Sequence, residues 1–274
     1  MKLLLIGGKG FIGKAFIKRY KKSCDIVAPT ELNLSDARSV GAVFDEHKFD
    51  AVLYLACAVN SAEKADAFVD SVIAFKNVQY MSIVHSVKKL IYVGDALDLD
   101  ASRPIVDFTE DRFDEYVPTG NFGSSRHIIT KLASKDRITT TLRLFDVYGH
   151  GGNSCRINKI VSAAASGKKQ ITIDRDRTVS AISVDDAIAV IAKFLQGDYP
   201  KGDYNLVAAD KVSYLGIAKT LKRVIRKDGG DIEIVVKHQP DFECTASNAK
   251  LAATVPVKLT PTAKGIRTLY ESLK

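Results

Sequence analysis

The chain has 274 residues, of which 46% are hydrophobic and 26% charged, and its formal net charge is +8 at pH 7. This composition is typical of a folded globular protein and excludes a disordered chain. The apolar run at residues 3–6 ends at two glycines, which is too short for a membrane span or a signal peptide, so we expect a cytoplasmic protein.

The cysteines and the excess of positive charge narrow the class of protein further. The four cysteines lie far apart without a Cys-x-x-Cys pair, which predicts reduced thiols and no metal site. The positive charge suits an anionic ligand such as a dinucleotide or a nucleotide sugar, and nucleic acid is the alternative. Because lysines and arginines are spread along the whole chain, we interpret most of them as solvated surface and do not expect nucleic-acid binding.

Strand and helix patterns alternate from the first residues. An apolar strand at residues 3–6 is followed by a glycine loop, a helix at 11–22 and a strand at 26–28, which together form one βαβ unit. Further elements are expected at residues 35–47, 51–56, 66–87, 89–93, 123–134 and 139–144. The sequence therefore predicts an α/β fold of the Rossmann type, a doubly wound parallel sheet covered by helices.

The loop between the first strand and the first helix reads Gly7-Gly8-Lys9-Gly10-Phe11-Ile12-Gly13. It contains the dinucleotide fingerprint Gly-x-Gly-x-x-Gly and its variant Gly-x-x-Gly-x-x-Gly. Glycine is needed here because the turn is tight, the backbone must approach a pyrophosphate, and the helix packs close to the strand. The helix N-terminus then offers N–H groups to the phosphates. We predict that this loop binds NAD(P).

The choice between NAD and NADP depends on the residues after the second strand. The acidic residue that holds the ribose 2′-hydroxyl of NAD has no counterpart in Ala28-Pro29-Thr30. Lys9 could instead face a 2′-phosphate, which favours NADP slightly over NAD. A solvent-exposed loop lysine without a ligand is the alternative.

Beyond Tyr148-Gly149 the elements become shorter and begin with a glycine-rich loop. Helices are expected at residues 184–194, 214–226 and 262–273, the second with Ser213 as its N-cap. The stretch 228–256 contains a strand-like segment at 232–236 and no evident chemistry. We predict a Rossmann NAD(P)-binding domain at residues 1–150 and a smaller substrate-binding region at 151–274, of which residues 180–196 pack back on the first domain.

Several motifs in one order resemble the extended short-chain dehydrogenase/reductases, which act on nucleotide sugars as epimerases, dehydratases and reductases. Besides the glycine loop these are Glu31-Leu32-Asn33-Leu34-Ser35-Asp36, Leu55-Ala56-Cys57-Ala58, Leu142-Arg143-Leu144-Phe145-Asp146-Val147-Tyr148-Gly149, Val184-Asp185-Asp186 and Tyr204-Asn205-Leu206. Among these, the stretch Asn33-Leu34-Ser35-Asp36 looks closest to the GDP-fucose synthase and dTDP-4-dehydrorhamnose reductase branches.

This resemblance implies the positions of the cofactor contacts. Gly7, Gly10, Phe11, Ile12 and Gly13 would meet the pyrophosphate, Leu34 would lie near the adenine, and Ala56, Cys57 and Ala58 would pass the ribose. It also implies a homodimer that forms through the helices at 66–87 and 123–134. On the substrate side, Asn153 and Arg177 are the candidate binding residues, and a solvated charged turn is the alternative for Arg177.

The family's catalytic Ser or Thr, Tyr and Lys are all replaced in this chain. The Tyr-x-x-x-Lys motif matches Phe122-Gly123-Ser124-Ser125-Arg126, and the Ser/Thr position matches Asp95. Aligning Tyr116 instead leaves no cation four residues later, so we reject that alternative. Phenylalanine has no proton to donate, whereas Arg126 keeps a positive charge that could hold the ribose.

Two hypotheses follow for the function. The first is an NAD(P)-dependent nucleotide-sugar epimerase, dehydratase or reductase that acts without the usual Tyr and Lys. The alternative is a catalytically inactive relative that binds NAD(P) or a sugar nucleotide as a regulatory or scaffold subunit. Whether the protein is an enzyme therefore depends on Asp95, Phe122 and Arg126.

Overall fold

The computed structural model describes residues 1–55 and 65–274. The chain divides into two compact units. Unit 1 comprises residues 1–100, 110–143 and 188–204, and unit 2 comprises residues 101–109, 144–187 and 205–274. The predicted α/β fold with a parallel central sheet is confirmed.

The bounds of the regular elements are as follows. The strands are β1 Lys2–Ile6, β2 Asp25–Val27, β3 Ala51–Tyr54, β4 Lys89–Asp95, β5 Ile105–Phe108, β6 Thr139–Leu144, β7 Asp146–Tyr148, β8 Gln170–Arg175, β9 Thr178–Ser183, β10 Gly202–Leu206, β11 Lys211–Ser213, β12 Glu233–His238 and β13 Cys244–Ala246. The helices are α1 Phe11–Tyr20, α2 Ala37–Glu46, α3 Ala65–Val84, α4 Asn121–Ala133, α5 Arg156–Ala165, α6 Val184–Gln196, α7 Tyr214–Lys227, α8 Ala249–Thr254 and α9 Thr262–Leu273.

The main sheet, as far as the described residues show, has six strands in the order β10-β6-β4-β3-β1-β2. β1 pairs in parallel with both β2 and β3, and β3 pairs in parallel with β4. The strand order reverses at β1, because β2 lies on one side of it and β3 on the other. Ligands of open α/β sheets bind outside the carboxyl ends of the strands at such a switch point. The glycine loop, which directly follows β1, therefore lies where a cofactor is expected.

The core of unit 1 explains why these segments become strands and helices. Residues 3–6 and 51–54 are buried on both faces, as in a parallel sheet covered by helices. Helix α3 contributes Phe75 and Val78 to the core, and α4 contributes Ile129 and Ala133. The α1 and α2 helices are shorter than the sequence predicts. The α2 helix begins at Ala37 because the side chain of Asp36 accepts a hydrogen bond from the Arg38 N–H at 3.0 Å.

Unit 2 has its own sheets and core. One sheet has the strand order β11-β9-β13-β5, with β7 paired to β9, and β8 and β12 form a parallel pair. Helices α5, α7 and α9 pack on one another around Tyr148, Ile157 and Ile266. The predicted N-cap of α7 is confirmed, since the Ser213 hydroxyl accepts a hydrogen bond from the Gly216 N–H at 2.9 Å.

No helix within residues 1–55 and 65–274 combines the length and the apolar character that a bilayer span requires.

Candidate functional site

The glycine loop is built so that no side chain fits at two of its positions. Gly7 has φ = +90°, a conformation that side chains disfavour, and its carbonyl accepts a hydrogen bond from the Gly10 N–H at 3.0 Å. A Cβ at Gly13 would lie 2.5 Å from the Gly7 carbonyl oxygen and 2.8 Å from the Gly8 Cα. The first turn of α1 therefore packs directly on the loop backbone.

The N-terminus of α1 is open to an anion. Gly10 is the N-cap and has no side chain to cap the first turn, and that turn contains no acidic residue. The first N–H groups of a helix have no partner within it, and the helix dipole adds partial positive charge there. The loop thus fits a dinucleotide pyrophosphate in both shape and charge.

The other predicted cofactor contacts are only partly within the described structure. Lys9 is exposed at the tip of the loop, and Ala28, which follows β2, is half-buried with no carboxylate beside it in the sequence. Leu34 is half-buried, and its carbonyl accepts a hydrogen bond from Asn77 Nδ2 at 2.9 Å. Ala56, Cys57 and Ala58 lie outside the described residues.

Asp95 ends β4 and caps the short 3-10 helix Ala96–Asp98 that follows it. Its Oδ1 accepts a hydrogen bond from the Leu97 N–H at 3.0 Å, and its Oδ2 lies 3.6 Å from Arg126 Nη1. The carboxylate is 29% exposed. Both oxygens therefore face donors of the protein itself.

Phe122 and Arg126 lie in the first half of α4, one turn apart. The Arg126 side chain is only 5% exposed, and its guanidinium carbon is 4.8 Å from the centroid of the Phe122 ring. A cation over an aromatic face at this distance is attracted by the ring quadrupole. The structure thus brings together Asp95, Phe122 and Arg126. This group can bind polar ligands through its cation, but position 122 cannot transfer a proton.

A buried ion pair that the sequence analysis missed lies next to this group. Arg143 on β6 and Asp98 are both fully buried, and Arg143 Nε donates to both Asp98 oxygens at 2.9 Å. Thr130 donates a further hydrogen bond to Asp98 at 2.9 Å. Burial raises the pKa of Asp98 to about 6, against the opposing effect of the Arg143 charge. An arginine in the otherwise uncharged strand Thr139–Leu144 was the available signal, because a buried cation requires a partner.

The contacts of His127 indicate a structural role for this side chain. Its ring stacks on Phe113 at 4.2 Å between centroids, and Nδ1 lies 3.0 Å from the Asp98 carbonyl oxygen. Burial lowers its pKa. These contacts, together with the Asp98–Arg143 pair, fix α4 relative to the 3-10 helix and so the distance between Arg126 and Asp95.

Unit 2 contains a pocket of about 250 Å³ that three cations line: Arg156, Lys159 and Arg175. Tyr214 and Asp241 also line it. The Tyr214 hydroxyl donates to Asp146 Oδ2 at 2.6 Å, and burial raises the pKa of both groups.

The predicted substrate-side residues lie in different surroundings. Arg177 is 17% exposed and forms an ion pair with Asp241, which lines the basic pocket. Asn153 is exposed. Asp241 belongs to the stretch 228–256 in which the sequence analysis found no chemistry, and its charge next to a proline was the only signal. Among the described residues no group of three or more His, Cys, Asp or Glu side chains could hold a metal ion.

The fold and the glycine loop define a dinucleotide-binding protein of the Rossmann class, and a family comparison makes this specific. The family model described as "RmlD substrate binding domain" matches residues 1–257. The chain therefore belongs to this family of nucleotide-sugar reductases and epimerases, and the resemblance to the extended short-chain dehydrogenase/reductases is confirmed.

One curated relative is the GDP-6-deoxy-D-talose 4-dehydrogenase of Aggregatibacter actinomycetemcomitans, which is 25% identical over 211 residues, covering 71% of this chain and 70% of the relative. Solved structures share the fold at lower identity. The dTDP-4-dehydrorhamnose reductase of Bacillus anthracis, in complex with NADP, has a TM-score of 0.83 at 17% identity and covers 99% of both chains. A GDP-L-fucose synthetase of Naegleria fowleri has a TM-score of 0.82 at 18% identity, over 98% of this chain and 92% of that one.

Proposed function

We propose that this chain is an NADP(H)-binding, nucleotide-sugar-modifying protein of the epimerase, dehydratase and reductase class that works without the family's Tyr and Lys. The glycine loop supports the cofactor, and unit 1 is its proposed binding domain. The observation that carries the rest is the position of Arg126, which lies over Phe122 and beside Asp95. A cation remains where the family has its lysine, and no phenol stands beside it at position 122.

The roles of the residues follow from these contacts. The N–H groups at the start of α1 hold the pyrophosphate, and Arg126 binds the hydroxyls of the nicotinamide ribose. When bound, the dinucleotide supplies or accepts the hydride. Asp95 orients Arg126 and accepts hydrogen bonds at the site where the family has Ser or Thr. Without general acid–base help from position 122, turnover is expected to be about 10²- to 10⁴-fold slower than in a member with the intact triad.

The second candidate function is the regulatory or scaffold subunit that binds NADP(H) or a sugar nucleotide without turnover. One observation favours it: both Asp95 oxygens already face the Leu97 N–H and Arg126. In that case neither Asp95 nor Phe122 exchanges a proton with a ligand.

NADP is the proposed cofactor rather than NAD. Position 28 and the two residues after it bring no carboxylate, and Lys9 is exposed at the loop tip, where it can meet a 2′-phosphate. The described cysteines, Cys24, Cys155 and Cys244, are thiols. Unpaired thiols suit the reducing cytoplasm, which is the proposed location.

For the nucleotide sugar, we propose the basic pocket of unit 2. Three cations line it, Arg156, Lys159 and Arg175, and they outnumber the carboxylates of Asp174 and Asp241, which favours an anionic group such as a diphosphate. Arg177 acts there indirectly, because its ion pair holds Asp241. The relatives whose names mention GDP- and dTDP-linked sugars support this substrate class.

A homodimer through α3 and α4 is also proposed. Large apolar side chains are exposed along one face of α3, namely Val69, Ile73, Tyr80, Ile83 and Val84. On a helix these positions fall within about a third of the circumference, and an exposed apolar stripe of this kind marks an interface. The double variant Ile73→Lys and Tyr80→Lys should be monomeric by light scattering, whereas Val236→Lys, at an exposed apolar site on β12, should leave the mass unchanged. A monomeric parent would contradict the dimer.

The experiment that tests the proposed function has two parts. First, the purified protein is examined by mass spectrometry for a co-purified dinucleotide and titrated with NADPH and NADH. Second, it is incubated with NADPH and a panel of 4-keto GDP- and dTDP-sugars. Binding together with slow turnover supports the first candidate, and binding without turnover supports the second. Absence of NADPH and NADH binding overturns both.

A further inference from the structure

Tyr92 carries a polar group into the core of unit 1. It lies on β4, three residues before Asp95, and is fully buried. Its ring packs against Phe75 at 5.2 Å and Tyr54 at 6.1 Å between centroids. Its hydroxyl has no partner with hydrogen-bond geometry among the described residues. Burying a hydroxyl without a hydrogen-bond partner costs folding free energy, so its presence in the core requires an explanation.

The direction of the ring brings the hydroxyl toward the carboxyl end of β4. A Cβ at Gly94 would lie 3.2 Å from Tyr92 Cε1 and 3.5 Å from the Tyr92 hydroxyl oxygen. The ring therefore runs along the strand over Gly94, in the space that a side chain at position 94 would occupy. Because strand side chains alternate, the residue two positions on shares the same face. Glycine at position 94 is what allows the hydroxyl to extend toward the site.

Tyr92 belongs to the same buried cluster as Ile129, which lies three residues after Arg126 on α4. Burial raises the pKa of Tyr92, and the nearby positive charge of Arg126 acts in the opposite direction. The carboxylates of Asp95 and Asp98 raise this pKa as well. Tyr92, Asp95 and Arg126 thus share one small region at the end of β4.

We infer that Tyr92 is a positioning residue for Arg126, and that its hydroxyl is the phenol that this site keeps in place of the one missing at position 122. The inference rests on the proposed function, in which Arg126 binds the nicotinamide ribose. Arg126 then has three neighbours that fix it before the cofactor arrives: the Phe122 ring face, the Asp95 carboxylate and the Tyr92 hydroxyl. A guanidinium fixed in this way loses less conformational freedom on binding.

The test separates the two halves of the cofactor. Tyr92→Phe removes only the hydroxyl, and NADPH and 2′,5′-ADP, which lacks the nicotinamide ribose, are titrated into the parent and the variant. We expect the Kd for NADPH to rise about tenfold, since the Arg126 guanidinium loses one of the three neighbours that hold it in place, while the Kd for 2′,5′-ADP stays the same. The melting temperature should be equal or higher, because an unpartnered buried hydroxyl is removed.

Two further variants serve as a control and as an independent test of the same contact. Tyr54→Phe removes a hydroxyl from the same aromatic cluster and should change neither affinity. Gly94→Ala places a methyl group against the Tyr92 ring and should weaken NADPH binding as Tyr92→Phe does.

Unchanged NADPH affinity in Tyr92→Phe overturns the inference but leaves the proposed function standing. Equal weakening of both ligands also overturns it, because a general structural role would explain that result. If the parent binds neither ligand, the proposed function fails, and the inference with it.

Discussion

The guanidinium of Arg126 lies over the ring of Phe122, with 4.8 Å between the guanidinium carbon and the ring centroid. These two residues stand four positions apart on α4, at the positions that we match to the family's tyrosine and lysine from the motif spacing. In that match the charge at position 126 is retained and the hydroxyl at position 122 is lost. We therefore propose a site that holds a ligand without proton transfer at position 122.

The close packing of α1 on the glycine loop gives a first prediction. Gly13→Ala places a methyl group 2.5 Å from the Gly7 carbonyl oxygen. Since backbone atoms cannot yield as a flexible side chain does, the loop must shift. We expect NADPH affinity to fall by about tenfold or more and stability to fall by about 1–3 kcal/mol. Isothermal titration and urea denaturation measure the two effects.

Gly120→Ala is the matched control for that substitution. Gly120 is the N-cap of α4, and a Cβ there would meet no atom within 4 Å. It should leave NADPH affinity unchanged. If Gly13→Ala binds NADPH as tightly as Gly120→Ala does, the packing argument is wrong.

The buried pair of Asp98 and Arg143 gives a second prediction. Asp98→Ala removes the carboxylate that accepts from Arg143 Nε and leaves the fully buried guanidinium beside the more distant Asp203 carboxylate, at 3.6 Å. Breaking a buried pair in this way costs about 3–5 kcal/mol of unfolding free energy. Urea denaturation should show this loss. Asp114→Ala, which removes an exposed partner of Lys131, serves as the control and should leave the denaturation midpoint unchanged. Equal midpoints for both variants would show that the buried pair does not stabilise the fold.

The exposed Lys9 gives a third prediction, on cofactor choice. Lys9→Glu places a negative charge where the 2′-phosphate of NADP is proposed to lie. We expect the Kd for NADPH to rise about tenfold or more, and that for NADH to change little, because only NADPH carries the extra phosphate. Lys18→Glu changes the net charge equally on the exposed face of α1 and should preserve both affinities. If Lys9→Glu weakens the binding of NADPH and NADH equally, Lys9 does not contact the 2′-phosphate and the prediction is wrong.

Much of unit 1 could be predicted from the sequence because its signals are local. The apolar strand at residues 3–6, the glycine loop and the helix after it are each encoded in consecutive residues, and the structure has them in that order. Element ends were less certain, because they depend on single hydrogen bonds. The Asp36 cap, which starts α2 at Ala37, is one such bond.

The parts that the sequence did not reveal depend on contacts between distant residues. Asp98 and Arg143 are 45 positions apart in the sequence, and Arg177 and Asp241 are 64 apart. No local sequence pattern therefore predicts either pair. The sequence predicts only that Tyr92 lies in a strand, since nothing in it shows that the ring runs over Gly94 toward Arg126. The triad positions remain a prediction from the motif spacing, to which the structure adds that Arg126 contacts both Phe122 and Asp95.

The most direct measurement compares the parent with the double variant Phe122→Tyr and Arg126→Lys. Both are assayed with NADPH and 4-keto nucleotide sugars, at matched cofactor saturation. The account predicts that both bind NADPH and that the double variant turns over about 10²- to 10⁴-fold faster than the parent, because a phenol with a neighbouring lysine can then donate the proton. A parent that shows no turnover at all would favour the binding subunit. A parent that turns over as fast as the double variant would contradict the account, because a full proton donor would then exist without position 122.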